Sequence, residues 1–156
     1  MAKSGAVLGI IGILLGAGGL AFGVLSWFSV AQVPVKNSWY DYIDSSSLSS
    51  SGANLNGLSI SMTINTGEIM YVSFTCTLRC DGMLDEFYIQ IDGISTTGYD
   101  KVTRDSVAGY EYFPMSIQYF NATVAAGAHI ITVWEITDDS GSVAYDCSLL
   151  VQTLTA

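Results

Sequence analysis

The sequence predicts a mainly β protein: one antiparallel β-sandwich preceded by a single long hydrophobic α-helix. Three observations carry this. No charged residue lies between Lys3 and Lys36, and the stretch is dominated by Val, Leu, Ile, Phe, Ala and Gly. From Trp39 onward the apolar residues recur at every second position, as in Leu58, Ile60, Met62 and Ile64 against Ser59, Ser61, Thr63 and Asn65, the period of a half-buried strand. Turn-forming pairs then interrupt the chain at the short intervals expected of antiparallel strands.

The helix is expected over residues 1–31. Gly5, Gly9, Gly12, Gly16, Gly19 and Gly23 follow a 4-3-4-3-4 spacing, and Ser26 extends it. A repeat averaging about 3.5 residues keeps one helix face toward a neighbour, so these seven positions form a continuous groove without large side chains. Glycine costs about 1 kcal/mol relative to alanine in a helix interior. Close helix approach compensates, because small-xxx-small patterns let backbones meet within a bilayer. At 1.5 Å per residue such a helix runs roughly 40 Å, more than the roughly 30 Å hydrocarbon layer. Trp27 and Phe28 suit an interfacial aromatic belt, and Pro34 marks the helix end. Ser29-Val30-Ala31 has the small residues of a signal-cleavage site, but the apolar run is about twice the 7–15 residues of a secretory signal, so retention is expected.

Residues 32–57 read as a linker holding a first strand at 39–43 and a Ser-rich loop at 45–57, and residues 58–156 as the sandwich that strand 39–43 joins. Further strands are expected at 69–78, 86–92, 115–124, 129–137 and 143–154. Asn65-Thr66-Gly67, Asp81-Gly82, Asp92-Gly93, Ala126-Gly127 and Asp138-Asp139-Ser140-Gly141 separate them. The last two strands look like a hairpin, with Ile131 and Val133 facing Val143 and Tyr145. Residues 99–109 are expected to form a surface loop.

All fourteen acidic residues lie after residue 31, against four basic ones, Lys36, Arg79, Lys101 and Arg104. Such a surface excludes nucleic acid, whose phosphates require Lys and Arg, and anionic lipid headgroups. The acidic domain, its cysteines and a glycosylation sequon place it outside the cell, anchored in a lipid membrane through residues 5–31.

The segment Val124-Ala125-Ala126-Gly127-Ala128-His129-Ile130-Ile131-Thr132-Val133, with Cys147-Ser148-Leu149-Leu150-Val151-Gln152 after an acidic turn, resembles the C-terminal hairpin of the tumour-necrosis-factor and complement-head jelly rolls. That resemblance covers about a fifth of the chain. It implies a jelly-roll sandwich that associates with copies of itself, typically as a trimer. Lys3-Ser4-Gly5 before an apolar helix also resembles an archaeal type IV pilin precursor, although the early glutamate of such pilins is replaced here by apolar residues.

Among candidate sites, Cys76 and Cys80 would lie about 13 Å apart on one extended strand, too far for a disulfide. One of them is expected to pair with Cys147, with Cys80 preferred because it ends its strand, and Cys76–Cys147 as the alternative. A metal site is not expected; Asp138 and Asp139 are the weak calcium candidates, without the loop spacing that calcium sites use. His129, the sole histidine, reads as structural. Tyr110 and Tyr112 could stack a sugar, and Asn121-Ala122-Thr123 is a glycosylation acceptor at Asn121. Nucleophile-elbow, phosphate-loop and zinc-helix patterns are absent, so neither an enzyme nor a cofactor is expected.

These readings converge on a non-enzymatic surface structural protein that homo-oligomerises through its glycine-rich helix and its β-sandwich. The alternatives are a subunit of a pilin-like filament or virion shell, and a cell-surface adhesion or glycan-binding module. Replacing Gly12→Leu together with Gly16→Leu is expected to disperse the oligomer in detergent. An unchanged particle size would remove the role assigned to the groove.

Overall fold

Alternation with period two gives each strand one apolar and one polar face, and eight such strands bury their apolar faces against one another. The computed structural model describes residues 34–80, 84–103, 110–138 and 141–155, with only the backbone of 100–103 described. The helix expected over 1–31, with Gly5, Gly9, Gly12, Gly16, Gly19, Gly23 and Ser26, lies outside the described residues. Among the described residues no helix is long and apolar enough to cross a membrane.

The strands are β1 (Val35–Ser47), β2 (Ala53–Ile64), β3 (Glu68–Cys80), β4 (Leu84–Ile91), β5 (Ile94–Thr103), β6 (Glu111–Asn121), β7 (Gly127–Thr137) and β8 (Val143–Thr155). They form two four-stranded sheets, β1-β8-β3-β6 and β2-β7-β4-β5, and all the strand pairs are antiparallel. Eight strands distributed in this order between two sheets are a jelly roll.

The core lies between the sheets. Phe74 of the first sheet and Phe87 of the second are both fully buried, with ring centroids 5.9 Å apart and planes at 28°. Val72, Leu78, Leu149 and Val151 surround them from one side, and Ile89, Ile131 and Val133 from the other.

The structure differs from the sequence expectation in three places. First, β7 and β8 are not a hairpin: each pairs within a different sheet, and the turn between them carries the chain across the sandwich. Second, the expected Ser-rich loop at 45–57 shrinks to residues 48–52. Ser45, Ser46 and Ser47 pair with Tyr145, Ala144 and Val143, and the buried Leu48 and Leu55 pin both ends of the loop into the core. Pairing with β8 overrides the weak strand preference of serine. Third, the expected loop at 99–109 begins as part of β5, an edge strand that pairs with β4 alone. The β4–β5 connection is a two-residue turn in which Asp92 (φ 53°) and Gly93 (φ 78°) both have positive φ, as a type I′ hairpin demands.

Residues 48–52 are held by backbone bonds from Leu48 N–H to the Ser142 carbonyl at 3.0 Å and from Thr137 N–H to the Ser49 carbonyl at 3.2 Å. Gly52 closes this loop at φ +75°, and a Cβ there would lie 2.1 Å from Cζ2 of Trp134. The substitution Gly52→Ala is therefore expected to cost about 2 kcal/mol or more, from left-handed strain plus the clash. A lowered urea midpoint at unchanged m-value is the readout; an unshifted midpoint would contradict this packing.

Candidate functional site

Burial of one face of each strand leaves the other outside. On the first sheet the cross-strand register sets three outward rows side by side: Ser38, Gln152, Tyr71 and Phe120; Tyr40, Leu150, Ser73 and Gln118; and Tyr42, Ser148, Thr75 and Ser116. None of these twelve side chains is charged. Tyr40 is 65% exposed and Phe120 57%, so the surface is both uncharged and partly apolar. In a chain of formal net charge −9, that is the feature that most needs an explanation.

Charge returns at the two ends of the face: at one end Lys36, half exposed, pairs with Glu68 at 3.2 Å, and at the other lie Asp146 and Arg79. Tyr42 donates its hydroxyl to Asp146 Oδ1 at 3.0 Å, and this hydrogen bond pushes the phenol pKa up to about 12. Arg79 sits beneath two aromatic rings, 4.4 Å from the Tyr110 centroid and 5.9 Å from that of Tyr145, within the range of cation–π attraction. Its Nη2 donates to the Gly141 carbonyl at 3.0 Å. Tyr112 packs against Tyr145 with centroids 6.5 Å apart. The sequence-predicted Tyr110 and Tyr112 are thus linked through Tyr145 and Arg79, a cation that composition alone did not place there.

The other expected site residues are scattered. Asp92 Oδ2 lies 2.8 Å from His129 Nδ1, and the Ala125 carbonyl lies 2.9 Å from Nε2. With an acceptor at each ring nitrogen, the hydrogen bond to Asp92 foremost, the imidazole pKa is raised, and the ring clamps the β4–β5 turn to the β6–β7 connection. Asp138 accepts from the Leu84 N–H at 3.1 Å and returns its own N–H to the Leu84 carbonyl at 3.0 Å. No group of three His, Cys, Asp or Glu that could hold a metal occurs among the described residues. Asp139 lies outside them. At the end of β6, Asn121 Oδ1 accepts from Thr123 N–H at 2.8 Å and its Nδ2 donates to the Tyr119 hydroxyl at 3.1 Å.

The preferred Cys80–Cys147 disulfide is not formed. Cys76, Cys80 and Cys147 are all buried and none is in a disulfide. The register gives the reason: Cys80 pairs with Glu111 four residues beyond Cys76, and it is Cys76 that falls opposite Cys147.

Sequence reasoning missed a pair of buried carboxyls. Asp85 and Glu135 are 0% and 2% exposed, diagonal neighbours two pairing steps apart on β4 and β7. Both Glu135 oxygens accept from the Ser49 N–H, at 2.9 and 3.1 Å, while Asp85 Oδ2 accepts from the Ser142 hydroxyl at 3.3 Å. Burial pushes the Glu135 pKa from 4.5 up to about 7, opposed by the Ser49 bond and reinforced by the Asp85 charge. The parity of the strand was the available signal, since both acids fall on the inward phase.

No family model and no curated protein matches the chain. Among solved structures, the fold is similar to one of infectious bursal disease virus Gx strain (TM-score 0.45, 15% identity) and to the VP2 subviral particle of infectious bursal disease virus (0.44, 17%). Each likeness covers 78% of this chain and 34% of the other, so the chain spans about a third of their length. It is also similar to the CBM36-1 domain of a multidomain xylanase from the hindgut metagenome of Trinervitermes trinervoides (0.39, 12%, covering 74% of this chain and 96% of that one). Likenesses this distant add no functional argument. The jelly roll rests on the strand order itself, and support stops short of a tumour-necrosis-factor or complement-head identity and of a pilin likeness.

The sign of the Glu135 shift fixes a pH dependence. A folded-state pKa raised above the unfolded one gives stability that is fully present below about pH 4.5 and is lost as pH rises through about 7. The expected loss is on the order of 2 kcal/mol. Urea titrations of the wild type and Glu135→Gln across pH 4.5–8 should show a fall larger by this amount in the wild type, the part due to the raised His129 pKa being common to both. An equal fall in the variant would contradict the assignment.

Proposed function

We propose that this chain is a non-enzymatic structural protein whose jelly roll stands outside a membrane and binds further copies of itself through the outer face of the β1-β8-β3-β6 sheet. The observation that carries this is the charge pattern. Two copies with a formal net charge of −9 each repel, and the three uncharged rows around Tyr40, Leu150 and Phe120 are where they can approach without facing acid against acid. Aromatic side chains there bring large contact area at small entropic cost. A two-fold contact would use the same patch on both partners. The glycine repeat of residues 5–26 supplies the second contact, within the lipid.

The non-enzymatic reading is supported by the engagement of His129 at both ring nitrogens. Combined with the helix contact, the same outward face would serve a closed oligomer, a filament or a virion shell, according to whether the successive contacts close. A glycan-binding role is favoured by one specific arrangement, Tyr110 and Tyr145 over Arg79 with Tyr112 packed against Tyr145.

The pair Tyr40→Asp and Phe120→Asp places charge on exposed positions outside the core. Mass photometry of the full chain in detergent should show the assembly reduced at least tenfold in population, with an unchanged thermal midpoint. Retained assembly in this double variant would refute the reading.

A further inference from the structure

β3 and β8 are neighbours at the centre of the first sheet, and their register steps once. Thr75 faces Ser148, and the next matched pair is Thr77 with Tyr145. Cys76 therefore stands opposite two residues, Asp146 and Cys147. Asp146 adopts φ 51°, which accommodates the additional residue as β-bulges do and returns Cys147 to the inward phase. Cys147 is 0% exposed and Cys76 5%, so both thiols project from adjacent strands into the same interior.

Opposed residues of antiparallel strands have Cα atoms about 4.5–5.5 Å apart, inside the roughly 4.4–6.8 Å that a disulfide spans. A hydrogen bond with Cys76 holds the Cys147 thiol below its ordinary pKa against the opposing effect of burial. Cys80 is on the same strand as Cys76, about 13 Å further along, and cannot substitute for it.

We propose that Cys76 and Cys147 form a two-thiol modification site, which a small-molecule disulfide converts into a cross-strand bridge joining β3 to β8 while Cys80 remains a thiol. This inference stands apart from the proposed self-association. Cys76 borders a groove of about 370 Å³ together with Thr75, Thr77, Pro114, Met115, Ser116 and Asp146; the residue is only 5% exposed, so local opening at the bulge admits the reagent to its sulfur. With oxidised glutathione, Cys76 sulfur attacks one glutathione sulfur, forming a mixed disulfide and releasing one reduced glutathione. Cys147 sulfur then attacks the Cys76 sulfur, forming the protein disulfide and releasing the second. Two electrons and the two thiol protons of the protein pass to glutathione. The bridge closes a loop of about 70 residues, long enough for a large constraint on the unfolded chain.

The test uses the full chain in detergent, equilibrated with oxidised glutathione, denatured, alkylated and digested without reductant. Trypsin cleaves after Lys36, Arg79, Lys101 and Arg104, so Cys76, Cys80 and Cys147 fall on separate peptides, 37–79, 80–101 and 105–156. The expected product is 37–79 joined to 105–156, two hydrogens lighter than their sum, with 80–101 alkylated. The Tm should rise by on the order of 5–10 °C. Cys80→Ser should retain the bridge and the rise, and Cys76→Ser should lose both. A bridge that includes Cys80, a bridge between chains, or three alkylated thiols from native protein while the urea-unfolded chain does form bridges would each overturn the proposal. The wild-type peptide map decides the matter even if Cys76→Ser does not fold.

Discussion

One apolar layer, shared between two sheets and centred on Phe74 and Phe87, decides everything else on this molecule. Successive side chains of a strand point to opposite faces, so burying Val72, Phe74 and Leu78 sends Tyr71, Ser73 and Thr75 outward. Burying Leu149 and Val151 does the same to Leu150 and Gln152. The uncharged outer face is thus the obligatory reverse of the core. Its parity cannot slip by one residue without turning the core inside out. What the sequence was free to choose was which side chains to put there, and across three rows it chose none with a charge.

Polar groups that fall on the inward phase have to be satisfied locally. Glu135 does this through the Ser49 N–H, and so ties the β1–β2 loop to the interior at one end of the sandwich. At the other end Asp92 accepts from the Ile130 N–H at 2.9 Å and from His129. Asp41 reaches from β1 to the Ser59 N–H at 2.8 Å, linking the two sheets beside the register break in β2. Acidic side chains therefore act as ties at the ends and corners, leaving the middle of the first sheet's outer face neutral.

The alternation of Leu58 to Ile64 and the breakers at Asp92-Gly93 made the sandwich legible, because period and turn chemistry are local properties. Partner choice between strands was not. The β7–β8 turn looked like a hairpin because both flanks alternate, and nothing in the turn itself says that they belong to different sheets. β5 was hidden because an edge strand such as Ile94–Thr103 needs only weak patterning, and its second half fell in the loop expected from residue 99. The cysteine pairing was misjudged for a related reason: the bulge at Asp146 shifts the facing register, and a bulge is set by the partner strand. Tyr110 and Tyr112 were legible as exposed aromatics, whereas Arg79 between Tyr110 and Tyr145 depended on strands distant in sequence.

The neutrality of the β1-β8-β3-β6 outer face is assigned to contact between copies, and electron cryomicroscopy of the full chain in a native-like membrane examines that assignment directly. The account predicts an assembly in which Tyr40, Leu150 and Phe120 of one copy lie against a neighbouring copy and are withdrawn from solvent. Isolated single chains, or an assembly whose contacts run through the acidic loop ends while these three side chains face water, would contradict it.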